Sequence, residues 1–152
     1  MKYTNKVEIN LPVDQVVKLW QNHEHFDKWQ TGYLKTTLLE GEASAQGSKS
    51  EILLCIKGKE MRLIQTVLIS NLPEEKKILV EHEHMTNTLS TRFKELNNSR
   101  TECISETEYT KFNGLIPKVM ATLFPGIFRQ QSQKWLDNFK EFAENNVHLA
   151  NT

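Results

Sequence analysis

Residues 113–146, NGLIPKVMATLFPGIFRQQSQKWLDNFKEFAENN, decide the architecture. Met120, Phe124, Phe128, Gln131, Trp135, Phe139 and Phe142 recur at spacings of three or four, the period that gathers side chains on one face of an α-helix. Pro117 sits where a helix can begin, just after Asn113-Gly114. Pro125-Gly126 interrupts the run, because proline has no N–H to donate and its ring clashes with the preceding turn. The pattern predicts a kink, or a short helix followed by a longer one over about residues 127–146. Phe139 and Phe142 read as packing against the first strand and helices. Phe124, Phe128, Gln131 and Trp135 read as facing a ligand, because an interior Gln needs a polar partner.

Upstream, the pattern changes to period two. Residues 3–11 alternate, with Val7, Ile9 and Leu11 on one face, as in a half-buried strand. Pro12 ends that strand and opens a short helix with Val13, Val16, Val17 and Trp20 at helical spacing and Asp14 well placed against the helix dipole. Residues 23–29 carry Phe26 and Trp29 three apart, enough for one or two more turns. Trp20 reads as core, and Trp29 as either core or pocket lining.

From residue 33 onward strands follow one another: 33–39, 51–56, 61–69, 77–85, 89–96 and 100–109. They are punctuated by the loop 41–47, Lys57-Gly58, Asn71-Leu72-Pro73, Thr86-Asn87 and Asn97-Asn98. Short turns between neighbours predict an antiparallel meander with one apolar and one wetted face, joined at an edge by the first strand. The expected fold is α+β: a seven-stranded antiparallel sheet covered by one long C-terminal helix, with two short helices between strands one and two. Such a sheet closed by a single helix tends to leave a cavity.

Strand alternation assigns the inward side chains. They are Met61, Leu63, Gln65 and Val67; Ile78, Val80, His82 and His84; Leu89, Thr91 and Phe93; and Cys103, Ser105, Thr107 and Tyr109. A slip of one residue would instead bury Glu81 and Glu83 unpaired, at high cost, which favours this register. An apolar lining that gives way to His82, His84, Thr91, Ser105 and Thr107 is how a pocket fixes one polar end of an otherwise apolar ligand.

Several function classes are disfavoured. Nineteen basic and nineteen acidic side chains give zero formal charge, which offers no electrostatic footprint for nucleic acid or an anionic membrane. The first residues lack an unbroken apolar signal stretch, and no later run has the length of a membrane span. The expectation is a soluble, cytoplasmic single domain of 152 residues, monomeric or weakly dimeric, with no stable membrane insertion. Cys55 and Cys103 read as buried free thiols. His82-Glu83-His84 puts two imidazoles on one strand face, but His23 and His25 do not supply a convincing third ligand, so no metal and no cofactor is expected. The loop from Gly41 superficially resembles a phosphate-binding loop. It fails on spacing, since Lys does not directly follow the second Gly, and on context, since a strand follows it, so it reads as a flexible lip over the cavity mouth.

The strand, the Pro-led helix Leu11-Pro12-Val13-Asp14-Gln15-Val16-Val17-Lys18-Leu19-Trp20, the following Phe26-Asp27-Lys28-Trp29, the meander and the long final helix together resemble the START-like (SRPBCC) superfamily of helix-grip proteins over nearly the whole chain. That group includes lipid-transfer domains, pollen-allergen-like proteins, polyketide cyclases and activators of the heat-shock chaperone. The resemblance implies a strongly curved sheet wrapped around the terminal helix with a hydrophobic pocket between them. It carries no shared catalytic signature. The function expected first is binding or carriage of a small hydrophobic molecule, lipid-like, aromatic or isoprenoid. The second is a cyclase- or dehydratase-like enzyme in which His82, His84 and Tyr109 move protons. The third is a protein-interaction module akin to the chaperone activators, which would need a large exposed apolar patch that the wetted strand faces do not supply.

Overall fold

Alternation and turn chemistry produce seven strands, and the short connections make every neighbouring pair from β2 to β7 a hairpin. The structure, a computed structural model, describes residues 1–151. The strands are β1 (Lys2–Ile9), β2 (Tyr33–Glu40), β3 (Lys49–Ile56), β4 (Lys59–Asn71), β5 (Glu75–Glu81), β6 (Met85–Asn97) and β7 (Arg100–Phe112). They form one antiparallel sheet in the order β1-β7-β6-β5-β4-β3-β2, so the first strand joins the edge beside the last. Between β1 and β2 lie α1 (Val13–Gln21), a 3-10 turn (His23–His25) and α2 (Phe26–Trp29). After β7 come α3 (Leu115–Leu123) and α4 (Pro125–Asn145). Pro125 occupies the first turn of α4, where its missing N–H costs nothing, so the break expected at Pro125-Gly126 is realised as two separate helices.

One turn differs from the reading of the sequence. The β5–β6 hairpin closes at His82-Glu83-His84 rather than Thr86-Asn87: His82 and Met85 exchange backbone hydrogen bonds at 2.9 and 3.3 Å around Glu83 and His84. Asn87 is instead a strand residue paired with Val80 and Tyr109.

The space between sheet and α4 is divided in two. Toward the C-terminal half of α4, Leu136, Phe139, Phe142 and Ala143 pack with Ile9, Leu11, Val16, Leu19, Phe93 and Cys103 into a closed core. Phe139 is wholly buried, with Trp20 and Trp29 edge-on at 4.9 and 5.0 Å between ring centres. Toward the N-terminal half of the helix the same interface is hollow. Asn5, 2% exposed, holds the helix there: its Nδ2 donates to the Arg129 carbonyl at 3.1 Å and to Gln133 Oε1 at 3.0 Å. Gln133 Nε2 returns a bond to the Lys6 carbonyl at 2.9 Å.

Candidate functional site

The hollow half is a cavity of about 390 Å³. Its floor is the inner face of the sheet, read off by pairing. Ser50 lies opposite Gln65, Gln65 opposite Val80, Val80 opposite Asn87, and Asn87 opposite Tyr109. A neighbouring row runs Val67, Ile78, Leu89, Thr107 and Tyr3. The next row is polar: Lys76 opposite Thr91, Thr91 opposite Ser105, and Ser105 opposite Asn5. Beyond it, the pair Phe93 and Cys103 belongs to the closed core. The roof is Phe128, Gln131, Ser132, Trp135 and Leu136 of α4, and the side wall comes from Trp20, Phe26 and Trp29.

Most of the expected pocket residues line this space: Trp29, Met61, Leu63, Gln65, Val80, His82, Thr91, Ser105, Thr107, Tyr109, Phe128, Gln131 and Trp135. Three do not. His84 lies exposed in the β5–β6 turn, because the strand ends one residue before His82 and two-residue alternation stops with it. Phe93 is on the expected face but beyond the polar row, where it meets the Trp20 ring edge-on at 5.5 Å in the core. Phe124 falls in the break between α3 and α4 and is 52% exposed. Gln131 reaches the cavity only at its exposed rim, and the polar contact expected of an interior glutamine is made by Gln133.

Residues that the sequence reading passed over also line the wall: Tyr3, His23, Tyr33, Ser44, Ser48 and Lys76 among them. Tyr3 Oη and Ser132 Oγ lie 2.9 Å apart, linking floor and roof. The loop after β2 is tied down rather than free-standing. His23 Nε2 lies 2.8 Å from Ser44 Oγ, Ser70 Oγ donates to the Ser44 carbonyl at 2.9 Å, and Gly47 N donates to the Val67 carbonyl at 2.7 Å. Lys76 precedes Ile78 by two residues and shares its face, so parity alone would have found it had β5 been started earlier.

The electrostatics are lopsided. Lys76 is the one side chain of fixed charge in the described lining, and no carboxylate accompanies it. Burial lowers its pKa. Burial likewise lowers the pKa of His23 at the rim, and the nearby Lys76 charge adds to the effect. His82, at the opposite end of β5, is also lowered, by burial first and then by His84, with Glu83 opposing. Tyr109 is pushed well above the usual phenol range, chiefly by burial and then by Tyr3, so its phenol is disfavoured as a base. Tyr109 stacks on Phe112 at 5.3 Å and meets Phe128 edge-on at 5.2 Å, closing that end with aromatic rings. The indole N–H groups of Trp29 and Trp135 are buried without an acceptor among the described residues.

Cys103 is fully buried and its thiol is pushed up to about 12, while Cys55 is only half-buried on β3; both are free. Among the described residues no three His, Cys, Asp or Glu gather to hold a metal ion, and no helix is long and apolar enough to cross a membrane. An exposed apolar patch does exist, on α3 rather than on the sheet. Leu115, Ile116 and Leu123 are 78%, 77% and 64% exposed, and none of α3's side chains is among those lining the cavity in the described residues.

No protein-family model matches the chain, and no curated protein matches it by sequence. Solved structures do match. The Zhui aromatase/cyclase from Streptomyces sp. R1128 is similar at a TM-score of 0.78 and 12% identity, over 97% of this chain and 95% of that one. Ara h 8.0201 is similar at 0.73 and 13% identity, over 96% and 99%. A START superfamily protein from Mycobacterium smegmatis gives 0.68 and 15% identity, over 97% of both chains. The chain shares the helix-grip fold of these structures. At these identities the likeness establishes the backbone path and leaves the lining side chains its own.

Proposed function

We propose that the chain binds or carries a small, mainly apolar molecule between the sheet and α4. The observation that carries this reading is the cavity itself: about 390 Å³ within an otherwise close-packed interface, inside the roughly 300–1,000 Å³ range typical of ligand sites. Its walls are mostly aliphatic and aromatic with a few placed polar groups. Apolar burial at roughly 25 cal/mol per Å² then supplies the driving force, and the polar row supplies orientation. Native mass spectrometry of the purified protein, followed by denaturing extraction, tests this. A stoichiometric apolar molecule leaving with the protein supports it. A clean protein mass, with no thermal shift from a broad panel of lipids and aromatic metabolites, removes it.

The enzyme reading is weaker on geometry, although one structural neighbour is described as an aromatase/cyclase. It asked for His82, His84 and Tyr109 around one substrate, and His84 faces solvent while the Tyr109 phenol stays protonated. The interaction-module reading gains one observation, the exposed apolar face of α3. Sedimentation of the parent chain beside Leu115→Ser/Ile116→Ser tests it for a second copy of this chain. Concentration-dependent association abolished by the double variant supports it, and identical monomeric sedimentation of both removes it.

A further inference from the structure

Lys76 stands out, half-buried on the cavity wall. An ammonium taken out of water is normally paired with a carboxylate, because an uncompensated charge in a poorly polarisable site is expensive. Lys76 has no ion pair among the described residues, and no Asp or Glu lines the cavity. Its surroundings are neutral and rich in hydroxyl groups. Thr91 lies opposite on β6 and Ser105 beyond it on β7, 3% and 5% exposed and both in the lining. On the other side Ser70 of β4 is Lys76's strand partner and bonds to the Ser44 carbonyl. Ser44 in turn meets His23 Nε2. The loop after β2 is therefore tied over the Lys76 end of the cavity.

We propose that this end is a subsite for the anionic head of an amphipathic acid, with Lys76 as counter-ion and Thr91 and Ser105 as hydroxyl donors. The inference rests on the cavity-binding reading and narrows it to a ligand class: a singly charged acid with an apolar body. That body lies along Ile78, Val80 and Leu89 toward the aromatic rings of Tyr109 and Phe128. The strand from Lys76 to His82 rises about 20 Å at ~3.3 Å per residue, so one end of the cavity is charged and the far end is aromatic and neutral. Burial of the lysine charge follows from this arrangement, since the compensating charge arrives with the ligand.

Two fluorescent probes share one framework and differ by a single charge: 8-anilinonaphthalene-1-sulfonate and neutral N-phenyl-1-naphthylamine. Both are titrated into the parent chain, Lys76→Met and Lys76→Arg at about 0.15 M salt, where contacts to exposed lysines are largely screened. Lys76→Met is expected to weaken the sulfonate probe at least tenfold, to leave the neutral probe within twofold, and to be rescued by Lys76→Arg to within threefold of the parent. Retained binding of the neutral probe shows that the variant still folds around its cavity. Equal loss of both probes, or no change in either, overturns the anionic subsite while leaving cavity binding standing. Failure of the parent chain to bind either probe overturns the cavity reading and this inference with it.

Discussion

Asn5 of β1 donates to Gln133 of α4 across the position where the helix passes from the closed core to the roof of the cavity. A buried amide in that place does what an apolar residue would not. It fixes the helix by hydrogen bonds at Arg129 and Gln133 without filling the adjoining space, so the roof is held at a distance from the floor. The Gln133 bond to the Lys6 carbonyl closes the clamp. Cutting it removes two hydrogen bonds at a half-buried site, together worth about 1–3 kcal/mol. Asn5→Ala should lower stability by that amount in a urea titration and should weaken neutral-probe binding, because the roof loses its anchor. Unchanged stability would show that the clamp is dispensable.

The division of the interface into filled and hollow halves has a direct mutational signature. Phe139→Ala removes a wholly buried ring from among Trp20, Trp29 and their neighbours and should cost ~3–5 kcal/mol. Phe128→Ala, in the roof, opens onto existing space and should cost no more than ~1–2 kcal/mol, while weakening probe binding. Equal costs in denaturant unfolding would contradict the division.

Gly32 joins α2 to β2 at φ +84°, a conformation that side chains rarely adopt, and a Cβ there would press into the Cys55 carbonyl oxygen. The Cys55 amide donates to the Gly32 carbonyl at 2.7 Å, so the two backbones cannot separate without losing that bond. Gly32→Ala should destabilise by more than ~1 kcal/mol in the same assay. Stability equal to the parent would mean that the junction can relax.

How much of this was legible in the sequence follows from which signals are local. Strand parity is local, and it put Met61, Leu63, Gln65, Val80, Thr91, Ser105 and Thr107 on the inner face, where the structure has them. The Pro125-Gly126 break was equally plain. What parity cannot reveal is where along a face the core stops: Phe93 shares its face with Thr91 yet lies one row past the boundary, a matter of how α1 and α4 pack. Turn residues misled once. Thr86-Asn87 has turn composition, but a hairpin of His82-Glu83-His84 keeps Val80 opposite Asn87 and Ile78 opposite Leu89, and burying those inner faces outweighs local preference. That shift at one end of β5 removed His84 from the cavity, and the late start at the other end hid Lys76. Gln133, one turn position removed from the helical stripe that included Gln131, was invisible until Asn5 was placed opposite it.

His82 gives the chain a pH signature. Burial, then the charge on His84, holds its pKa below the ordinary imidazole value of 6.5, with Glu83 opposing. A lowered folded pKa means that the folded state binds fewer protons than the unfolded one. Stability from this group is therefore present above pH 6.5 and lost as pH falls below it. His23 acts in the same direction. Urea midpoints at pH 7.5, 6.5 and 5.5 should fall with pH, and His82→Gln should flatten the slope. A slope identical in the variant would remove His82 as its source.

The most direct test of the central claim, that the hollow half of the interface is a ligand site, is to fill it. Leu89 lies at the middle of the cavity floor, between Ile78 and Thr107. N-phenyl-1-naphthylamine is titrated into the parent chain and Leu89→Trp, with thermal unfolding of both recorded alongside. The account predicts saturable one-to-one binding to the parent, loss of at least tenfold in affinity in the variant, and an unfolding midpoint that does not fall. Equal probe binding by the two folded proteins would place the site elsewhere and contradict the account.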